Sequence, residues 1–301
     1  MRDNGKSMVI ASFAADSLAL GAHWIYDTEW ISRNLGRVDS FLNPLPNSYH
    51  PTKKKGEFTH YGDQTFVLLE SISVKKGFDL TDFSDRWLAL FKSYTGYIDQ
   101  ATRVTLSNYA TGKTVENAGS LSSDLAGASR MAPLVFRDRQ DPVKLVKDVR
   151  AQTSMTHTDP LTNDSAEFFA MVALMVLKGA PPVKALVEVT DERFANTAIS
   201  RWVAAGLESK NEKSVSVISK FGQSCHTNEA FSGVVHLIAK YENDLEKALV
   251  QAVMAGGDSA ARGMMVGMVL GAHLGSEALP EKWVSDMARC KEIDALLDRI
   301  P

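Results

Sequence analysis

The sequence predicts an all-α protein, and three observations carry that reading. Apolar residues recur at three- and four-residue spacing in segment after segment, the period of a helix with one buried face. No stretch alternates apolar and polar residues at period two for long enough to read as a half-buried strand. The apolar run that starts at Gly263 places glycine at 263, 267, 271 and 275. A four-residue step turns about 400° in a helix, so these glycines drift slowly round one face and let another helix approach closely. With 301 residues, 45% of them hydrophobic, the chain can bury one full core. We expect a single domain over 1–301, built from about a dozen helices.

The elements fall in order. From Ser7 onward Val9, Ile10, Phe13, Ala14, Leu18 and Leu20 keep helical spacing, until Gly21-Ala22-His23-Trp24-Ile25-Tyr26-Asp27 breaks it with a polar and aromatic cluster. Residues 36 to 62 carry Pro44, Pro46, Pro51, Gly56 and the run Lys53-Lys54-Lys55, which is loop chemistry. The loop is long, as functional loops often are, and its basic run reads as a solvated turn rather than a phosphate site. Tyr61-Gly62-Asp63-Gln64-Thr65 then opens an apolar helix with a glycine and a carboxylate at its mouth. Further helices are expected at 82–93, 127–136, 142–151, 161–177, 191–208, 214–220, 228–240 and 245–254, the one at 142 beginning with proline at a first-turn position. The central helix follows Gly256-Gly257-Asp258, where two glycines allow a sharp turn and Asp258 is placed to cap the first turn.

Charge and cysteine usage exclude several classes. A formal charge of −3 gives no general attraction to nucleic acid or to an anionic membrane. The two cysteines, Cys225 and Cys290, support neither a disulfide framework nor a structural zinc site of the usual spacing. The first apolar stretch is interrupted by Asp16, against a secretory signal, and the run from Met264 to Gly275 is too short to span a bilayer. A cytoplasmic protein acting on a small-molecule or ribosylated substrate is the expectation, with the oligomeric state open.

Five segments together carry a family resemblance: Ala15-Asp16-Ser17-Leu18, Tyr61-Gly62-Asp63-Gln64-Thr65, Ala128-Ser129-Arg130-Met131-Ala132-Pro133-Leu134, Thr156-His157-Thr158-Asp159-Pro160 and Gly256-Gly257-Asp258-Ser259. In this order they resemble the motifs of the ADP-ribosylglycohydrolases. His23-Trp24-Ile25-Tyr26-Asp27 and Gly257-Asp258-Ser259-Ala260-Ala261-Arg262-Gly263 are similar to the crystallin J and selenoprotein J branch. The resemblance implies a large orthogonal helical domain with a cleft at helix mouths. In most members two Mg²⁺ ions there serve hydrolysis of the bond between ADP-ribose and a protein side chain. Such ions want oxygen ligands. Metal-using members end the first motif in Glu, read Thr-Asp-Asp-Thr in the second and Gly-Asp-Thr-Asp-Thr in the last. Against that pattern this chain has His23, Gly62-Asp63-Gln64-Thr65 and Asp258-Ser259-Ala260-Ala261, so a two-magnesium centre is not expected. The Gly-Asn-Gly that approaches a diphosphate aligns with Asp124-Leu125-Ala126, which adds a negative charge there.

The catalytic candidates are Asp63, Asp258 and His23, which the resemblance would bring together. One imidazole and two carboxylates suit at most a single divalent ion, Mg²⁺ by resemblance, held by Asp63 and Asp258, or a proton-shuttling pair without metal; a buried histidine and two N-caps are the plain structural alternative. Tyr61, Gln64, Ser123, Asp124, His157 and Asp159 are expected along the substrate cleft, Asp159 also reading as an N-cap. Arg130 reads as the partner of an acid in the core. Arg262 would neutralise Asp258 or Asp63 and oppose a metal. Cys225 reads as a packed thiol, and Trp24, Tyr26 and Trp30 as core or as a stacking surface. Two functions stay open: a hydrolase of a ribosyl bond with a degenerate metal site, and a non-catalytic binding or structural relative.

Overall fold

The computed structural model describes residues 4–301, and among them it contains seventeen α-helices, two single-turn 3₁₀ segments and no strand. The expectation of an all-α chain holds. Two isolated bridges, Ser120 with His157 and Asp124 with His226, tie loops together rather than build a sheet. The helix Ser259–Leu274 is buried over every residue from Ser259 to Ala272, and it packs on Asn4–Ala19 more extensively than any other pair of helices in the fold. The glycine spacing explains the closeness. A methyl group at Gly267 would stand 2.6 Å from the carbonyl oxygen of Ala11, and one at Gly271 would stand 2.7 Å from Ala11 Cβ.

Around this pair the remaining helices close one continuous apolar core that runs from Met8 to Ile300. Pro160–Leu177 and Thr227–Lys240 lie against the central helix on one side, and Leu245–Met254 precedes it. His60–Lys75 packs against Leu80–Phe91 and Ala132–Asp138.

Several boundaries differ from the sequence reading. The expected helix over 191–208 is two helices, Pro182–Arg193 and Ala198–Glu208, because Asn196 takes a left-handed conformation between them. Thr28–Asn34 and Gln100–Ala110 were not anticipated. Each is short and capped by an aspartate, with Asp27 accepting from Trp30 N and Asp99 from Thr102 N.

Candidate functional site

The mouth of the central helix is built by backbone first. Gly256 and Gly257 both have positive φ, and a side chain on Gly257 would run into the carbonyl oxygen of Gln223 at 2.1 Å. Trp24 N donates to Gly257 O, and Gly257 N donates to Ile25 O, so the His23–Asp27 cluster is stitched to this turn. Asp258 caps the helix by accepting from Ala261 N at 3.1 Å, and its other oxygen accepts from the Tyr61 hydroxyl at 3.1 Å. It is 1% exposed. Burial pushes its carboxyl up to about 6, opposed by the Ala261 amide and the Arg262 guanidinium. A helix N-terminus favours the charged form of a carboxyl, but here desolvation is the larger effect.

Tyr61 reaches Asp258 because of how its own helix begins. Thr59 is the N-cap of His60–Lys75, its side chain accepting from Tyr61 N. Thr59 is in turn held by the buried Asp16, which accepts from Thr59 N at 2.7 Å and from its hydroxyl at 2.6 Å. A Cβ at position 62 would meet Asp16 Oδ2 at 2.4 Å, so Gly62 is required for this approach.

The residues at the helix mouth are therefore Thr59-His60-Tyr61-Gly62, and the motif read from the sequence, Gly62-Asp63-Gln64-Thr65, begins inside the first turn of this helix. Positions 61 and 63 are about 200° apart round a helix. With Tyr61 turned to Asp258, Asp63 faces away, and its carboxylate is paired with Lys53 and accepts from the Tyr94 hydroxyl at 2.6 Å. The expected convergence of Asp63 and Asp258, and a metal site shared by them, is thus not found. Gln64 does not line a cleft either: it is buried, accepting from Trp87 Nε1 and Arg130 Nη1, each at 2.7 Å.

Beside Asp258 lies a group of buried histidines. His23, His50 and His60 are each at most 2% exposed, with ring centroids 5.4, 5.6 and 6.3 Å apart. None of their ring nitrogens has a hydrogen-bond partner of standard geometry. His23 Nδ1 is 3.9 Å from Asp258 Oδ1, and His60 Nε2 is 3.2 Å from Asp99 Oδ2. Trp24 stacks on His23 at 4.4 Å and on His50, and Tyr61 and Tyr97 pack edge-on or tilted against these rings. Burial and the neighbouring imidazoles hold His23 well below its usual range, and burial takes His50 down to about 3. His23 is consequently neutral near pH 7, and the group next to it that burial raises toward neutrality is Asp258.

Other candidates fall into place around this centre. His157 is buried, its Nδ1 within 2.8 Å of the Thr156 hydroxyl, and burial lowers it to about 4. Asp159 is an N-cap, accepting from Thr162 N at 2.8 Å. Arg130 has no acid partner of the expected kind: its donors go to the neutral oxygens of Gln64, Gln152 and Thr156. Arg262 is buried, and its Nη2 donates to Ala252 O and Gly256 O, while its charge acts on both Asp258 and His23. Tyr26 is half-exposed at the entrance, and burial with the Asp258 charge raises its hydroxyl to about 12. Ser123 and Asp124 lie on a loop joined to Cys225 and His226, a meeting the sequence reading missed because the two pairs are 100 residues apart. Its one local signal was the His226 that follows Cys225.

The family model for ADP-ribosylglycohydrolase matches residues 1–301. The chain belongs to this family. Among curated relatives, crystallin J1A of Tripedalia cystophora is 24% identical, over 97% of this chain and 94% of its own length. The ADP-ribosylhydrolase ARH3 of Mus musculus is also 24% identical, over 90% of this chain and 84% of its own. A solved structure described as an ADP-ribosylglycohydrolase-related protein complex superposes with a TM-score of 0.77 at 23% identity, covering 99% of this chain and 96% of that one. That likeness shows a shared fold.

The family is typically served by divalent metal, so the fit of this site to magnesium can be tested on its donors. His23, Gln64 and Ala260 stand where the resemblance would place acids, Asp63 is paired with Lys53 and Tyr94, and Asp258 stands among imidazoles with the Arg262 cation acting on it. Magnesium wants near-octahedral oxygen donors, and imidazole edges beside a guanidinium do not supply them. The residues do not fit two magnesium ions.

Proposed function

We propose that this protein hydrolyses a ribosyl N- or O-glycosidic bond at Asp258 without a two-magnesium centre. The observation that supports the reading is Asp258 itself: a buried carboxyl at a helix N-terminus, bonded by Tyr61 and raised to about 6. Cleavage of a ribosyl bond passes through an oxocarbenium-like state. The ionised carboxylate would face that developing positive charge or orient the attacking water, and the Tyr61 hydroxyl would hold the second oxygen in place. Approach is from the side of Tyr26, Gln223 and Cys225, where the chain is partly exposed and where the Asp258 charge acts on Tyr26 and Cys225. His23, neutral and 3.9 Å away, would accept a proton without first having to lose one.

A second reading, a non-catalytic binding or structural relative, is favoured by one specific observation. Asp63 is closed by Lys53 and Tyr94, and Asp258 by Tyr61 and its own helix. The experiment is a screen of ADP-ribosylated peptides, ADP-ribose conjugates and simple nucleosides in magnesium-free buffer, repeated with Asp258→Asn and Tyr61→Phe. Turnover by the wild type that falls at least 100-fold in Asp258→Asn, with the fold intact, supports the hydrolase. No turnover of any substrate, with binding of ADP-ribose retained or absent, supports the second reading.

A further inference from the structure

Two loops far apart in sequence meet at the rim of this cleft and place three metal-ligating side chains together. Leu125 N donates to Cys225 O and Thr227 N donates to Ser123 O, both at 2.8 Å, on either side of the antiparallel bridge between Asp124 and His226. The loops are thus pinned by backbone, and Asp124, Cys225 and His226 project from the pinned stretch. Cys225 Sγ is 3.0 Å from Asp124 Oδ1, and His226 Nδ1 is 3.4 Å from the same oxygen. All three donor atoms lie within 4.8 Å of one another, and no other group of three such residues does so among the described residues. A tetrahedral ion with bonds of about 2.0–2.3 Å spaces its donors about 3.4–3.6 Å apart. The 3.0 and 3.4 Å separations lie within about half an ångström of that spacing, and the third lies within 4.8 Å.

We propose that Asp124, Cys225 and His226 bind one borderline-soft divalent transition-metal ion of the zinc class, with the fourth position open to solvent. The donor set decides the class of ion. Thiolate and imidazole suit Zn²⁺ and its neighbours, not Mg²⁺, so this site is chemically distinct from the family's oxygen-bound ions and lies on different residues. Three protein ligands with one position left open is the pattern of reactive rather than structural zinc. His226 is more than half exposed and Asp124 and Cys225 are partly exposed, which leaves that fourth position accessible. The carboxylates of Asp124, which the thiol bonds, and of Asp258 both act on Cys225, and a cation beside the sulfur would meet that negative charge. Metal binding breaks the S–H bond, forms the metal–sulfur bond and releases one proton to solvent. The Ser123 hydroxyl, 3.1 Å from His226 Nδ1, gives up that contact to the ion.

The test uses the full chain, freed of metal by dialysis against a chelator and titrated with Co²⁺ and then Zn²⁺. One equivalent of Co²⁺ should bind with a near-ultraviolet thiolate-to-cobalt absorption and the intense visible absorption of a tetrahedral ion, release about one proton and be displaced by Zn²⁺. Cys225→Ser should lose the near-ultraviolet band. Asp124→Asn and His226→Ala should weaken zinc binding by about tenfold or more, while Cys290→Ser changes nothing. Absence of stoichiometric uptake by the wild type overturns the proposal, and so does a near-ultraviolet band that persists in Cys225→Ser. Neither result depends on whether the protein turns over a ribosyl substrate.

Discussion

Replacing Gly267 and Gly263 by alanine should change stability in opposite directions, although both lie on the same buried helix one turn apart. In each case the helix gains about 0.8–1.0 kcal/mol from the better propensity of alanine. At Gly263 the new Cβ meets Ala15 Cβ at 3.5 Å, an ordinary contact, so that gain should be kept and Gly263→Ala should stabilise by up to about 1 kcal/mol. At Gly267 the new Cβ stands 2.6 Å from the Ala11 carbonyl oxygen and 3.0 Å from its carbon. Both are backbone atoms, so no side chain can rotate away and the two central helices must part by roughly half an ångström. Overfilling of this kind costs about 1–3 kcal/mol, which leaves Gly267→Ala destabilised by about 0–2 kcal/mol. Gly267→Leu should be worse than Gly267→Ala. Urea unfolding at 25 °C, followed by helical circular dichroism, reads the order directly. If Gly267→Ala proves as stable as Gly263→Ala, the close contact between the two helices is not where the structure puts it.

Asp63→Asn should leave any ribosyl-bond turnover unchanged, since its carboxylate is held by Lys53 and Tyr94, and should cost about 1 kcal/mol of stability for a partly buried pair; a collapse of turnover with the fold intact would restore Asp63 to the site. Calorimetric titration with Mg²⁺ should show no two-ion binding, and a structure grown in magnesium with two ions about 3.5–4 Å apart would prove this wrong. Activity should fall as the pH drops through about 6, where Asp258 takes up a proton, and a profile that stays flat between pH 5 and 8 would remove Asp258 from the chemistry. Stability carries the same titration with a defined sign. The folded value of Asp258 lies above the ordinary value of 3.8, so its contribution is full below about pH 4 and is lost as pH rises through about 6. The buried histidines pull the other way in part of that window. The readout is therefore the difference between proteins: Asp258→Asn should gain on the wild type from pH 5 to pH 8, by about 1.4 kcal/mol.

The fold was legible because its signals are local. Helical spacing is written within each segment, and the glycines at 263, 267 and 271 announce a close neighbour without naming it. What could not be read was where a helix yields to a single residue: Asn196 turns left-handed and divides one amphipathic stretch into two helices. The short helix Thr28–Asn34 follows a cluster that looks like a loop, and only the capping bond from Trp30 N to Asp27 shows where it starts.

The site was legible in part, and the error in it has a physical form. Asp258 was readable because a Gly-Gly-Asp before an apolar run is a turn, a cap and a helix in three residues. In the second motif carboxylate content marked Asp63 as a site residue, and the sequence did not show which way it would face. The start of the helix decides that. Thr59 is the residue whose hydroxyl can accept from the second amide of the helix, and Gly62 is the residue whose missing side chain admits Asp16, so the helix has to begin at His60. Once it does, Tyr61 faces Asp258 and Asp63 cannot, which replaces a carboxylate pair by a carboxyl and a phenol beside three buried imidazoles. A site so composed offers few oxygen donors to magnesium and keeps one buried acid, raised to about 6, and in the function proposed above the chemistry passes through that acid.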